Sequence, residues 1–190
     1  MKLSDGDGPP SEGGPGGRVI THHSCTTVRR PAHDVARYVL DPTTMPEWSA
    51  VIYQVEAPDG GVFRPGGKLR GNMHILGVSL TVEGEMVHYD EAGMRAAIAV
   101  RPIDAGGLLE HELWVEDLGD ACVLHFRNRL TLPSWVPVEL VADGFVHHLL
   151  DQTSAFALAN IKYILENATG PSVREFMNLA GGYLPAPGGL

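Results

Sequence analysis

His111 is the residue of this chain whose type and position best fit proton-transfer chemistry. It lies in a run from Leu108 to Glu116 that alternates in polarity and predicts a β-strand. Because successive strand residues point to opposite faces, His111 shares a face with Leu109, Leu113 and Val115. That face is the more apolar one, so we expect His111 to point inward. A buried imidazole, with an unperturbed pKa of about 6.5, can act as a general acid or base, whereas one at a sheet edge or surface is structural.

Two glutamates form the other candidate pair. Glu83 and Glu85 are two residues apart in the predicted strand Val78 to Tyr89, so both carboxylates project from the same face. Paired carboxylates in a pocket can divide acid and base roles. The opposite face contains Val82 and Met86 and is clearly apolar, which favours a solvated face for the glutamates.

The nine histidines do not form a metal-binding pattern. His22-His23 is an adjacent pair in a predicted strand, and His147-His148 is an adjacent pair in a predicted helix. Strand neighbours point to opposite faces, and helix neighbours diverge by about 100°. Neither pair has the i, i+4 spacing of a zinc-binding helix, and no phosphate-binding loop or dinucleotide fingerprint is present. We therefore expect no metal and no cofactor.

Strands and short helices are predicted to hold these residues. The first strand is Val19 to Val28, and two short helices follow at Pro31 to Leu40 and Thr43 to Trp48. Adjacent strands joined by short turns predict an antiparallel meander. Its six strands are predicted at Val51–Glu56, Gly67–Ile75, Val78–Tyr89, Met94–Pro102, Leu108–Glu116 and Cys122–Leu132.

A long helix from about Pro137 to Glu166 follows the strands. At 1.5 Å per residue it is about 45 Å long, and its broad apolar stripe must lie on the sheet. A helix held by a curved sheet often encloses a cavity. The stripe is predicted to include Phe145, Leu149 and Phe156, with Ser154 on the opposite side.

Two polar residues, Thr153 and Asn160, also fall within this apolar stripe. A buried polar group needs a hydrogen-bond partner, which here is a ligand, a water or a strand. The sequence therefore predicts that Thr153 and Asn160 are polar contacts on an otherwise apolar wall.

Composition excludes several classes of function. The chain has 190 residues, 44% of them hydrophobic, which fits one domain with a core. A net charge of −9 with only 14 Lys and Arg makes nucleic acid and anionic membrane surfaces poor partners. No run of 18 apolar residues occurs, so no transmembrane helix is expected. Cys25 and Cys122 lie in predicted strands and are interpreted as reduced core thiols of a cytoplasmic protein.

The predicted domain spans residues 18–168. Residues 1–17 are rich in Gly and Pro, lack the apolar region of a secretory signal, and are expected to form a disordered leader. Residues 169–190 are expected to form a tail with a short helix near its start.

The order strand, two short helices, six strands and long helix resembles the SRPBCC superfamily, also called START-like or Bet v 1-like. The segments "VRRPAHDVARYVLDPTTMPEWSAVIYQVE", "VEGEMVHYDEAG", "DACVLHFRNRLTLP" and "LLDQTSAFALANIKYILE" resemble its opening, central strand and turn, penultimate strand and final helix. The resemblance covers about residues 18–166. It implies an α+β helix-grip fold, in which a curved antiparallel sheet of six to seven strands wraps around the C-terminal helix.

Within this superfamily the chain is most similar to the polyketide cyclase/dehydrase subgroup, and related members include self-resistance proteins that bind a toxic product. The cyclases resemble one another in placing arginine and tyrosine in the pocket from the middle strands. Here Val78 to Tyr89 contains no arginine. Tyr53 lies near the expected tyrosine, although a register slip of one residue would turn it to the other face.

The resemblance implies a mostly apolar cavity for a hydrophobic small molecule such as a polyketide. His111 is the candidate catalytic residue, and the short helices with the loop from Ser134 to Val138 are predicted to frame the mouth. A cyclase-like enzyme, a non-catalytic binder or resistance protein, and a protein-interaction role all stay open. A monomer or weak homodimer is expected. The predicted ligand contacts are Trp48, Tyr53, Leu113, Phe145, Leu149, Thr153, Phe156 and Asn160.

Overall fold

Seven antiparallel strands and three α-helices make up the part of the chain that the structure describes. The computed structural model describes residues 18–57, 64–103, 106–132 and 144–167. The predicted leader and tail and the loop from Ser134 to Val138 lie outside the described residues. The strands are β1 (Val19–Val28), β2 (Ile52–Glu56), β3 (Lys68–Ile75), β4 (Val78–Asp90), β5 (Arg95–Pro102), β6 (Leu108–Asp117) and β7 (Cys122–Thr131). The helices are α1 (Ala32–Val39), α2 (Met45–Trp48) and α3 (Phe145–Glu166).

The strands form one sheet in the order β1-β7-β6-β5-β4-β3-β2. Strands β2 to β7 are each paired with the next strand along the chain, as the predicted meander requires. Strand β1 closes the series by pairing with β7 over ten residue pairs, from Val19 with Thr131 to Val28 with Cys122. The predicted α+β helix-grip fold is confirmed.

One turn shows how the local sequence sets this pairing. Leu76 and Gly77 connect β3 to β4 with φ angles of 51° and 81°. Positive φ at both central residues is the turn geometry whose twist matches that of the flanking strands.

Alternation along the strands separates the sheet into two faces. The inner face carries His111 and Leu113 of β6 with their in-register partners Asn128 and Phe126 of β7. The outer face carries the charged residues between them. There Arg127 Nη1 lies 3.1 Å from Glu112 Oε2, and Arg129 Nη1 lies 2.8 Å from Glu110 Oε2. These exposed ion pairs add little stability individually, but they hold the fixed charges away from the core.

Helices α1 and α2 cover one end of the inner face. Val35 and Val39 of α1 are fully buried beside β6 and β7. The indole of Trp48 in α2 packs 5.7 Å from the ring of Phe126, and its Nε1 donates to Thr44 Oγ1 at 3.0 Å. Trp48 is therefore part of the core and is only 3% exposed.

Among the described residues helix α3 spans Phe145–Glu166, and the predicted start at Pro137 lies outside them. It runs over β1 in the same direction as that strand. Leu150 packs with Ile20 near the start of both elements. Near the end of both, Lys162 Nζ donates to the carbonyl of Thr27 at 2.5 Å.

The predicted phase of the α3 stripe is wrong. Phe145 and Phe156 are 49% and 37% exposed, whereas Ser154, predicted to lie opposite the stripe, is 3% exposed. The prediction weighted bulky apolar residues. Ser154 instead faces the sheet, where its Oγ accepts a hydrogen bond from Asn128 Nδ2, and the small Ala157 is buried as well. The buried residues of α3 are Leu150, Ser154, Ala157, Leu158, Asn160 and Ile161.

The two cysteines also differ from the prediction of two core thiols. Cys122 is fully buried, but Cys25 is exposed. Odd-numbered residues of β1 point to the outer face, and no helix of the described chain covers Cys25 there.

Candidate functional site

His111 is the first member of a hydrogen-bonded chain that crosses from the sheet to α3. His111 Nδ1 lies 2.5 Å from Asn128 Oδ1 on the neighbouring strand. Asn128 Nδ2 donates to Ser154 Oγ on α3 at 3.1 Å. Phe126 packs edge-on against the imidazole, with ring centroids 5.0 Å apart. The ring of His111 is therefore held both by a directional hydrogen bond and by packing.

The hydrogen bonds from His111 to Asn128 and from Asn128 to Ser154 determine which nitrogen of His111 carries a proton. Because Asn128 uses its amide N–H toward Ser154, its Oδ1 faces His111 and can only accept. His111 Nδ1 must then donate, which leaves Nε2 with a free lone pair. Burial lowers the pKa of His111 below its usual value, and the hydrogen bond to Asn128 offsets part of that effect. His111 is therefore a neutral imidazole that can accept a proton or a hydrogen bond at Nε2.

Two further polar groups lie on the inner face of β1. His22 pairs in register with Asn128, and Ser24 pairs with Phe126, so both side chains point toward α3. His22 Nε2 and Ser24 Oγ are buried and have no hydrogen-bond partner within the described residues. Buried polar atoms nearly always have a partner, so these two atoms can bind a water or a polar group of a bound molecule.

The inner face has a packed end and an accessible end. Leu113 and Phe126 at the packed end are each 1% exposed. Beyond His111, in the other direction along β6, the side chains retain accessible surface although they point toward the helix layer. His111 itself points toward the helix layer and is half-buried. A half-buried side chain on the inner face of a sheet is expected where that face borders a space between the two layers. The partly accessible residues at this end are Val100, Leu109, Leu130, Leu132, Val146, Leu149 and Thr153.

The predicted residues of α3 lie on the flank of the helix that turns toward α2. Asn160 Nδ2 donates to the carbonyl of Trp48 at 3.1 Å, which fixes the direction of this flank. At 100° per residue Leu149, Thr153 and Phe156 fall on the same side as Asn160. Thr153 Oγ1 donates to the carbonyl of Leu149 at 2.8 Å. The structure thus brings the flank residues together, but the polar groups of Thr153 and Asn160 are bonded to backbone.

The other predicted ligand contacts are spread over the molecule. Leu113 lies in the core, two residues from His111 on β6, and Trp48, the last residue of α2, also lies in the core. Tyr53 is 39% exposed at an irregularity of the β2–β3 pairing, between Ile52 and Gln54. Phe145 is exposed at the start of α3. Only His111, Leu149 and Thr153 of the predicted set lie at the accessible end of the inner face, with Phe156 at its border.

Sequence reasoning missed Asn128 and Ser154. Asn128 was detectable, because it shares a strand face with Leu124 and Phe126, where an uncharged polar residue interrupts an apolar pattern. Ser154 gave no comparable signal, since serine is common on both faces of a helix.

His23 and His125 lie on the outer face of the sheet. His125 stacks on Trp114 at 4.6 Å between ring centroids and lies 3.2 Å from His23 through their ring nitrogens. Burial and nearby positive groups lower the pKa of His23. Among the described residues no group of three His, Cys, Asp or Glu side chains is placed to hold a metal ion.

The paired glutamates lie on the same outer face. Glu85 forms an ion pair with Lys68, which lowers the pKa of Glu85. Near them, the outer surface of β2 to β4 has an open depression of about 340 Å³. Its lining is polar, so it does not suit a hydrophobic ligand. The lining residues are Gln54, Glu56, Arg70, Gly71, Asn72 and Thr81.

No helix within the described ranges is long and apolar enough to span a bilayer.

Comparison with known proteins identifies the family. Residues 20–166 match the model of the family described as polyketide cyclase/dehydrase and lipid transport. This match confirms the predicted resemblance to the SRPBCC superfamily. No curated protein sequence matches the chain.

Several solved structures share the fold. The Zhui aromatase/cyclase from Streptomyces sp. R1128 is 13% identical, with a TM-score of 0.65 over 80% of this chain and 97% of that one. A START superfamily protein from Mycobacterium smegmatis is 19% identical, with a TM-score of 0.59 over 76% of this chain and 98% of that one. The di-domain ARO/CYC BexL from the BE-7585A biosynthetic pathway is 17% identical, with a TM-score of 0.61 over 81% of this chain and 48% of that one. At these identities the likeness establishes the fold.

Proposed function

The chain belongs to the polyketide cyclase/dehydrase and lipid transport family, and we propose that it binds a hydrophobic, polyketide-type small molecule between the inner face of the sheet and α3. The observation that carries this proposal is the position of His111, which lies on the inner face of the sheet, is bonded through Asn128 to Ser154 of α3, and is still partly accessible. Its accessible neighbours on the sheet, Leu109 and Leu130, are apolar. A mostly apolar space with one directed polar group is the usual composition of a small-molecule site.

The walls of the proposed site come from two layers. The sheet contributes Leu109 and Leu130 on either side of the β6–β7 pairing, and α3 contributes Leu149 and Thr153 from its α2-side flank. Phe156, at 37% exposure, would close the edge of the site. Burial of a ligand against these side chains would contribute about 25 cal/mol for each Å² of apolar surface removed from water.

In a cyclase-like reaction His111 would be the proton carrier. Its neutral imidazole with a free Nε2 can take a proton from a ligand hydroxyl or from an acidic carbon between two carbonyl groups. The main contribution of the site would be to hold a flexible chain in a folded, reactive geometry. Proton transfer by a positioned base adds about 10²- to 10⁴-fold.

A non-catalytic binder, such as a resistance protein that sequesters a hydrophobic natural product, is the second candidate. One observation favours it. In strands β5 to β7 the inner face carries no Asp, Glu, Lys or Arg beside His111, so an acid–base partner for His111 would have to come from His22 of β1. For either candidate we propose a cytoplasmic protein, a location that suits the exposed free thiol of Cys25.

The binding site can be tested by filling it. Thr153→Trp places a large side chain on the flank that faces the proposed space, and Ala159→Trp places the same side chain on the exposed side of α3 as the matched control. The neutral fluorophore N-phenyl-1-naphthylamine serves as probe. We expect Thr153→Trp to weaken binding at least tenfold and Ala159→Trp to leave it unchanged. Equal affinity in both variants would place the site elsewhere.

Enzyme and binder can be separated with the natural ligand. Native mass spectrometry of the purified protein would detect a co-purifying compound, which is then extracted and incubated with wild type and His111→Gln. An enzyme converts the compound, for example with loss of water, and the variant does so more slowly. A binder returns the compound unchanged with either protein.

A further inference from the structure

We infer that the ligand is an uncharged compound that donates a hydroxyl hydrogen bond to Nε2 of His111, and that this site rejects carboxylates. This inference rests on the proposed function and adds the chemical class of the ligand. It follows from the distribution of charge between the two faces of the sheet and from the proton arrangement of the His111–Asn128–Ser154 chain.

The charged side chains of the described strands around His111 lie on the outer face of the sheet, where they cannot contact a ligand bound at the inner face. On β6 the residues Glu110 and Glu112 point outward, and on β7 the residues Arg127 and Arg129 do the same. Their mutual ion pairs hold them on the outer face. On β5, Arg95 also bonds to Glu112 on that face.

The inner face of β5, β6 and β7 around His111 therefore has no Lys or Arg, and His22 of β1, in register with Asn128, is a second titratable side chain on this face. Its in-register neighbours are Ile98 on β5 and Asn128 on β7, and the residues two positions away on β6 are Leu109 and Leu113. A carboxylate placed beside them would lose its hydration without gaining a counter-charge. That loss is costly in an apolar environment.

The second half of the inference concerns the direction of the hydrogen bond. Ser154 accepts the amide proton of Asn128, Asn128 Oδ1 accepts the Nδ1 proton of His111, and Nε2 is left as an acceptor. An acceptor in a largely apolar space favours a ligand group that donates, and a hydroxyl on a phenol, enol or alcohol does so without carrying charge. An ether or ketone oxygen at the same position is also only an acceptor, so it could not form a hydrogen bond with Nε2 of His111.

A carboxylate could avoid this conflict only if an imidazole on this face, His111 or His22, took up a proton. Burial opposes that uptake, because it holds the pKa of His111 below the usual value. Binding of a carboxylate would therefore require acid, and it would weaken as the pH rises through neutrality.

Three matched naphthalenes test the inference by titration calorimetry at pH 7.5. The first, 2-naphthol, donates a hydroxyl. The second, 2-methoxynaphthalene, has the same ring and oxygen without the donor, and the third, 2-naphthoate, is ionised. We expect 2-naphthol to bind about five- to tenfold more tightly than 2-methoxynaphthalene, the ratio that one net hydrogen bond supplies. We expect 2-naphthoate to be weaker than both.

A variant locates the effect at His111. In His111→Phe, 2-naphthol and 2-methoxynaphthalene should bind equally, while His88→Phe, on the outer face of β4, should keep the wild-type ratio. Imidazole ¹⁵N shifts of wild-type His111 provide a test that needs no variant. They should show the proton on Nδ1, and a proton on Nε2 would overturn the inference.

The possible results separate the two proposals. If 2-naphthoate or 2-methoxynaphthalene binds as tightly as 2-naphthol, the inference about ligand class is wrong, and the proposed binding site stands. If none of the three compounds binds and N-phenyl-1-naphthylamine also fails, the proposed function itself is wrong.

Discussion

Asn128 on β7 donates a 3.1 Å hydrogen bond from Nδ2 to Oγ of Ser154 on α3, and both side chains are buried. This bond joins the sheet to the long helix at the level of His111. Because Asn128 also accepts from His111, the position of α3 and the proton arrangement of the imidazole depend on the same amide.

Ser154→Ala removes the acceptor of that bond. It leaves the amide of Asn128 buried without a partner, so we expect a loss of about 1–3 kcal/mol in the free energy of unfolding. Urea unfolding measures the loss. Ser79→Ala, an exposed serine on β4, is the matched control and should change stability by less than about 0.5 kcal/mol. An unchanged free energy of unfolding for Ser154→Ala would show that this hydrogen bond does not stabilise the fold.

Asn160→Ala removes a hydrogen bond between α3 and α2. It leaves the carbonyl of Trp48 without the amide donor that Asn160 supplies at 3.1 Å in the buried contact. We expect a cost of about 1–3 kcal/mol and a change in the fluorescence of Trp48, since the indole packs on Phe126. Asn167→Ala, at the exposed C-terminal end of α3, is the control. An unchanged unfolding midpoint for Asn160→Ala would contradict the prediction.

Glu166 joins the C-terminal end of α3 to Arg29, which follows β1, and the strength of this contact should depend on pH. The backbone N–H of Arg29 donates to Glu166 Oε1 at 2.8 Å, and Lys162 and Arg29 also bond to the carboxylate. The backbone bond is the main reason that the pKa of Glu166 is lowered. The stabilisation is therefore present above the unfolded pKa of about 4.3 and is lost as the pH falls through the lower folded pKa.

Glu166→Gln tests this dependence. We expect the variant to be less stable than wild type by about 1 kcal/mol at pH 7 and the difference to disappear near pH 3, as measured by urea unfolding at both pH values. If the difference in the free energy of unfolding between wild type and Glu166→Gln is the same at both pH values, the charge of Glu166 does not cause it.

His111 predicts a loss of stability on acidification as well, but in a higher pH range than Glu166. Its folded pKa is below that of the unfolded chain, so the unfolded state binds the proton first as the pH falls below about 6.5. Stability should therefore decrease between pH 7.5 and 5.5, by at most about 1.4 kcal/mol per pH unit for this group. His111→Gln should flatten the thermal-denaturation profile in this range, and His88→Gln should not. Identical slopes would show that His111 titrates normally.

The two thiols should react at very different rates. Cys25 is exposed, whereas Cys122 is fully buried, and burial together with Asp117 raises its pKa. A thiol-specific disulfide reagent such as Ellman's reagent should modify one thiol per native chain and two after unfolding. Cys25→Ser should abolish the fast phase. Two fast thiols in the native protein would contradict the packing of β1 on β7.

Local sequence determined most of the fold. Strand periodicity and turn residues located all seven strands within one or two residues, since the alternation of Leu109, His111 and Leu113 is a property of the strand itself. The same alternation predicted the inward direction of His111 and placed the side chains of His22 and His23 on opposite faces of their strand.

Tertiary structure decided the rotation of α3, the partners of His111 and the exposure of Cys25. Helical periodicity predicts that one stripe is buried, but contacts with the sheet, such as the bond from Asn128 to Ser154, decided which stripe it is. The proton on His111 Nδ1 depends on an amide 17 residues away and a hydroxyl 43 residues away in sequence. Hydrogen bonds between side chains so distant along the chain arise only when strand register and helix position are fixed together.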